Sequence, residues 1–465
     1  MQMTVGSHSN PKRERGHKIF RYAPSLTLRV CVICFLAAAG CSTYAERTLK
    51  LHNAYYDNQL DLAKSTADSQ LKREWTSADL IRLDQAMIDL AAGDSKAAEQ
   101  KLRVVRDHFD ELEGVSLVET TASYLSDDNR RSYCGEDYEK ILIRGMLALA
   151  NLMHDGGDAE AYSLQLIEKQ DQIIAAGVDK KGNNPKADYP KMALAPYMRG
   201  ILREATHLDY DDAERSYTSV VSWQPGFRPG RFDLDRATHG QHSSPGNGVL
   251  YVFALTGRGP YKEEATEVAS TVSLFIAGEL VSALGHQTLP PNIAPVKVPR
   301  VVARGGRTGA IGVDVGGRPV GATETITDVT QLAIAQQEAI YPTIIARAVA
   351  RRVLKDGILY GGKEAIGIQK GSLPGLAIDL AGLAWQATEN ADTRAWGLLP
   401  DKIQVLRVEL PAGDHDVTLK ALNAGGTAVS RGSTQHIRIG DGRNTYLLAS
   451  FPDSQLVGKV LVSQP

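Results

Sequence analysis

Several places in this chain of 465 residues carry side chains that chemistry uses, and three cysteines near the start are the first of them. Cys31-Val32-Ile33-Cys34 has the spacing of a redox pair. Ala38-Ala39-Gly40-Cys41 points to a different reaction. It closes an apolar run that begins at Val30 and follows Lys12, Arg13, Arg15, Lys18, Arg21 and Arg29. That pattern is a secretory leader ending in a lipobox. Cleavage before Cys41 would leave its thiol to carry the lipid, and Ser42 in the next position favours sorting to the outer membrane. Cleavage by ordinary signal peptidase at Ala-x-Ala is the other reading. The run is about half of the roughly 20 apolar residues a spanning helix needs. The redox-like pair leaves with the leader, and the mature chain then keeps Cys134 and the acylated Cys41. No internal disulfide and no cysteine-rich metal site can form from those.

Four other groups hold polar residues at suggestive spacings. His239-x-x-His242 has a ligand-like interval, yet a metal site needs further ligands on a rigid frame. The pair falls among Pro, Gly and Ser between Pro225 and Gly248, which reads as a solvated loop. Gly257-Arg258-Gly259-Pro260-Tyr261-Lys262 invites a phosphate reading but lacks the glycine interval and the Lys-Ser/Thr of a P-loop. A turn leaving a strand fits it better. Arg347, Arg351, Arg352 and Lys355 make a basic stripe at helical offsets. It could meet an anionic glycan, a lipid phosphate or a partner's acidic face, or simply be solvated or paired with carboxylates. Asp392 and Arg394, with Trp396 beside them, are expected to form a structural clasp between the last helix and the first C-terminal strand. Acid–base chemistry would need a cleft around them. No G-x-S-x-G, H-E-x-x-H, Walker A or dinucleotide fingerprint occurs in the mature chain.

Charge narrows the partners. The whole chain has 52 Lys+Arg and 54 Asp+Glu; removing the leader's six basic residues and one acidic residue leaves 46 and 53, a net charge of −7. That balance excludes a nucleic-acid binder. Hydrophobic residues at 43% and charged residues at 23% are ordinary for a globular body.

The elements that position these residues follow from periodicity. Residues 42 to about 227 read as helical hairpins. Leu80, Leu83, Met87 and Leu90 are followed, after Gly93-Asp94, by Ala98, Leu102, Val105 and Phe109. A second hairpin spans Tyr138 to Ile167, and a third has Tyr197, Gly200, Ala213, Tyr217, Val220 and Pro225 at offsets used by tetratricopeptide repeats. A stack of such hairpins offers an extended groove, typically for peptides or proteins; the alternative is a plain helical bundle. Beyond Gly248, Val249–Leu255 reads as a strand, and Val268–Leu284 as an apolar helix packed on a sheet or facing a hydrophobic partner. Val296–Ala303 and Ala310–Val315 are strands, the second ending at a Gly316-Gly317 turn. A long helix capped by Thr327-Asp328 runs to Lys355, kinked at Pro342, and a second helix covers 373–391. After Pro400, alternation at Leu406, Val408 and Leu410, at Val417, Leu419 and Ala421, and at Ile437 and Ile439 predicts short strands.

Three stretches carry a family resemblance. They are Tyr124-Leu125-Ser126-Asp127-Asp128 with Tyr133 and Gly135-Glu136-Asp137-Tyr138-Glu139; Gly257 to Lys262; and Glu389 to Pro400 with Leu410-Pro411-Ala412-Gly413-Asp414-His415. In this order the chain resembles an uncharacterised family of bacterial tetratricopeptide-like envelope lipoproteins. Some of its members are encoded beside a lipoprotein that activates penicillin-binding proteins. The resemblance implies a lipidated N-terminus, a helical-repeat front and envelope work.

The expectation is therefore an α+β protein. Residues 1–40 form a lipoprotein signal peptide, 41–227 TPR-like helical hairpins, 248–400 a mixed region, and 401–465 a small C-terminal β-sandwich or sheet. The function expected is that of a periplasm-facing scaffold, without enzymatic activity or cofactor, anchored to the membrane through Cys41 and binding envelope proteins. The competing class is a cell-wall glycan-binding protein or hydrolase in contact with peptidoglycan.

Overall fold

The computed structural model describes residues 2–3, 43–116, 132–179, 181–283, 289–290, 292–365 and 390–463. The chain divides into two compact units, residues 1–43 and 44–465, and the second carries the described helices and strands. Cys31, Cys34, Cys41, Tyr124–Asp128 and nearly all of the helix expected over 373–391 lie outside the described residues.

The second unit opens with antiparallel helices, α1 (Tyr44–Tyr56), α2 (Leu60–Leu71), α3 (Ala78–Ala92), α4 (Ser95–Ser116), α5 (Asp137–Leu152), α6 (Ala159–Ala175), α7 (Leu194–Glu204), α8 (Tyr210–Trp223) and α9 (Pro229–Thr238). They pair as hairpins, and each hairpin's second helix packs on the first helix of the next. The apolar stripes on α3 and α4 that set the expectation, including Leu80, Leu83, Leu102, Val105 and Phe109, are buried. One hairpin cannot bury its stripe alone, so the stack is held by neighbour-to-neighbour packing. The solvated loop expected after Pro225 instead contains α9. Pro229 opens that helix, where its missing N–H costs nothing.

The rest is β1 (Asn247–Thr256), β2 (Tyr261–Glu267), α10 (Thr271–Ala283), β3 (Val296–Val302), β4 (Ala310–Val315), β5 (Arg318–Ala322), β6 (Glu324–Asp328), α11 (Val329–Ala365), β7 (Lys402–Pro411), β8 (Gly413–Leu422), β9 (Ser433–Ile439), β10 (Asn444–Phe451) and β11 (Val457–Val462). These make a five-stranded sheet ordered β11-β10-β1-β7-β6, a four-stranded sheet ordered β5-β4-β8-β9, and a two-stranded ribbon of β2 and β3. α11 continues through Pro342.

A correction follows from that order. The strands after Pro400 are not a module of their own: β1 sits between β10, in parallel, and β7, antiparallel, and β4 pairs with β8. A sandwich does form, but it draws on both sides of the expected boundary at residue 400. The uninterrupted apolar run of β1 is explained by burial of both its faces. Leu250, Val252 and Ala254 meet Ile311, Val313, Val417, Leu419 and Ile439 of the four-stranded sheet. Val249, Tyr251, Phe253 and Leu255 join the core of the helical stack. The sheet and the helical stack thus share one apolar core through that face of β1.

Candidate functional site

The parts Tyr133–Glu139, Gly257–Lys262 and Asn390–Pro400 of those stretches meet at one junction between the helices and the ribbon. The N-terminus of α5 is fixed by a capping box, in which the Glu136 N–H donates to Glu139 Oε2 at 3.0 Å. The Glu139 carboxylate, fully buried, also accepts from Tyr133 Oη at 2.5 Å and from the Trp396 N–H at 2.7 Å. Burial pushes its pKa up, against the pull of the Lys262 charge. Lys262, from the Gly257–Lys262 stretch, pairs through Nζ with Glu136 and lies 5.6 Å from the centre of the Tyr133 ring. Burial opposes its charge, but Glu136 wins and raises the Lys262 pKa.

From the other side comes an irregular segment, residues 390–400, with a turn at Gly397–Leu398 and buried throughout 394–400. Arg394 holds Asp392, with Nη2 to Oδ2 at 2.7 Å, donates through Nη1 to Thr76 O at 2.9 Å, and stacks at 5.3 Å on the Tyr133 ring. Burial pushes the Asp392 carboxyl up, yet the hydrogen bonds and charge of Arg394 hold it below the usual range. Trp396 is 1% exposed. Beyond it, the Leu398 N–H donates to Asp84 Oδ1 at 3.0 Å, and Asp84 also holds His52 Nε2 at 2.7 Å. Two glycines are demanded here by close approach. A Cβ on Gly397 would stand 2.1 Å from the His52 ring, and one on Gly259 would stand 2.6 Å from Leu399 O, the carbonyl that accepts the Gly259 N–H at 2.8 Å. The Gly-x-Gly stretch therefore serves a chain crossing. Asp392, Arg394 and Trp396 clamp the segment onto the helical stack, at Thr76, Tyr133 and Glu139.

Beside this junction opens a cleft of about 1300 Å³. One wall is Ser132–Tyr138 and the loop after α6; the other is the ribbon, α10 and α11. Its lining is mixed. Lys262, Asp392 and Arg394 sit at the junction end, and Val272, Phe275, Ile276, Ile340 and Ile344 supply an apolar side. Val272 is 58% and Phe275 61% exposed. Lys181 spans the cleft to Glu279 on α10 at 2.6 Å. Cys134 is exposed on the cleft, and the partial desolvation of its thiol there raises the pKa, so it is protonated near neutrality and a poor nucleophile.

The basic stripe splits. Arg347 and Arg351 line the cleft, whereas Arg352 turns away and donates through Nη1 to Pro295 O at 2.7 Å, at the start of β3. The side chain of Lys355 lies outside the described part of the chain. The histidine pair also separates. His239 is exposed and bonded to Asp235 O, whereas His242 is only 3% exposed, not solvated as expected, and holds Asn444 Oδ1 at 2.8 Å. Burial lowers its pKa. Near it, between α7–α9 and the sheet, Arg236 bonds both Glu204 and Asp233. Tyr197 Oη, Tyr251 Oη, Asp233 Oδ2 and Arg407 Nε are buried there without hydrogen-bond partners. Among the described residues no group of His, Cys, Asp and Glu is placed to hold a metal ion, and no helix is long and apolar enough to cross a membrane.

Sequence reasoning missed Asp84 and Glu139, two of the acceptors that hold the 390–400 backbone. An acidic residue on an otherwise apolar helix face was the available signal. No family model, no curated protein and no solved structure matches this chain.

Proposed function

We propose that the chain is a lipid-anchored, periplasm-facing scaffold, attached to the outer membrane through Cys41, that mediates protein–protein interactions in cell-envelope assembly or secretion. The observation that supports this most is the cleft. Charged groups along it are paired with one another, Lys262 with Glu136, Arg394 with Asp392 and Lys186 with Asp137. Its apolar side chains, Val272 and Phe275, stand open at the rim. Exposed apolar side chains gathered at a concave site mark an interaction surface. The anchor rests on the apolar run that ends in Ala-Gly-Cys41.

The test has two arms. Cys41→Ser is expected to abolish acylation and release the protein from membranes; a variant still acylated by mass measurement refutes the anchor. Photoreactive residues at Val272 and Phe275 are expected to crosslink a defined envelope protein, whereas the exposed Val104 and Leu164 on the helical stack are expected to give none. Binding to purified sacculi with no protein crosslink would replace the scaffold by a glycan-binding protein or hydrolase.

A further inference from the structure

We propose that the cleft binds an extended, uncharged, apolar-rich peptide segment of the partner, with the Gln336 carboxamide reading its backbone. The inference rests on the scaffold reading and names the ligand of that same site. Gln336 lines the cleft, is 3% exposed, and has neither Nε2 nor Oε1 in a hydrogen bond. A buried amide with both groups unmet is rare in native proteins. A turn of the side chain toward the cleft would offer one donor and one acceptor together.

The neighbouring residue shows what such a pair recognises. Gln337 Oε1 accepts from the Val301 N–H at 2.6 Å, and its Nε2 donates to Pro299 O at 3.2 Å. One carboxamide thereby takes the N–H and the C=O of residues two apart on extended β3. Gln336 carries the same two groups with nothing to meet. The surroundings already receive backbone outside any helix or sheet as well. Segment 390–400 enters from the cleft, and its N–H groups at Ala391, Trp396 and Leu398 are received by Glu264, Glu139 and Asp84. Apolar wall at Val272, Ile276 and Ile340 fits the side chains that an extended segment projects on alternate sides. The charged groups at the junction end are already paired, so recognition falls on backbone and apolar side chains.

Random linear peptides displayed on phage, selected against the full chain, provide the probe. A selected peptide, made synthetically, is expected to bind the wild-type chain and to lose about tenfold or more in affinity, the worth of one good hydrogen bond, against Gln336→Leu. Val272→Glu, a change at an exposed position that leaves the core intact, is expected to weaken it likewise. Leu208→Glu, 85% exposed and outside the cleft, is expected to leave it unchanged. N-methylation of a single peptide amide should reproduce the loss. Failure to select any peptide that distinguishes wild type from Gln336→Leu overturns the inference, as does indifference to N-methylation. An envelope protein crosslinked at Val272 together with that failure removes this inference and leaves the scaffold standing. Peptide binding that behaves as expected, with only sacculi bound in cells, removes the scaffold and leaves the peptide site.

Discussion

Replacing Trp396 by alanine tests whether the 390–400 segment is a clamp. The indole is 1% exposed and belongs to the core shared by the helices and the sheet. Truncating a buried Trp to Ala costs about 3–5 kcal/mol, from lost transfer free energy plus the cavity left behind. The second unit spans residues 44–465. At about 2.1 cal/mol/K per residue its unfolding entropy is roughly 0.9 kcal/mol/K, so the melting temperature should fall by about 3–6 °C. The backbone bond from Trp396 to Glu139 survives the substitution, so the loss reports packing. Trp396→Phe sharpens the test. The indole Nε1 has no partner, and removing an unpaired buried donor offsets part of the lost packing. Its cost should be about 2 kcal/mol or less. Calorimetric melts of the two variants, with circular dichroism to verify the fold, decide the matter. An unchanged Trp396→Ala melt with crosslinking at Val272 abolished would refute the reasoning and make the segment part of the binding site. A Phe variant as damaged as the Ala variant would refute the packing account.

Other consequences concern single residues. Gly397→Ala forces a Cβ into the His52 ring and should cost about 1–3 kcal/mol as an overpacked site, read from urea midpoints; a neutral result would mean that His52 and its bond to Asp84 are freely displaced. Gln336→Leu removes a buried unmet amide and should raise stability by about 1–3 kcal/mol, seen as a higher melting temperature. Asp233 is buried and its pKa is raised from 3.8 to about 6, by burial against the pull of Arg236. Its folded state holds the proton more tightly than the unfolded state, so stability falls as pH rises from about 4 to about 6, by up to about 3 kcal/mol. Asp233→Asn should flatten unfolding free energy across that window; a slope unchanged from wild type assigns the titration to another group.

What the sequence determined by itself is local. Hairpin spacing from Leu80 to Pro225, the strand at Val249–Leu255, the long helix from Thr327-Asp328 and the alternation after Pro400 are each set by which side chains must leave water, and that periodicity is written along the chain. The junction is of another kind. Lys262 meets Glu136, and Trp396 meets Glu139, across separations of 126 and 257 residues. Nothing in the local pattern of any one of these stretches specifies the others. Alternation identifies a strand, but not which edge it pairs with, so β1 lying parallel to β10 and antiparallel to β7 could not be read from it. The boundary drawn at Pro400 failed for that reason. The polar character of Gln336 is visible in the sequence; that it is buried without a partner beside a cleft is decided only when α11, the ribbon and the loop after α6 are brought together by burial of their apolar faces.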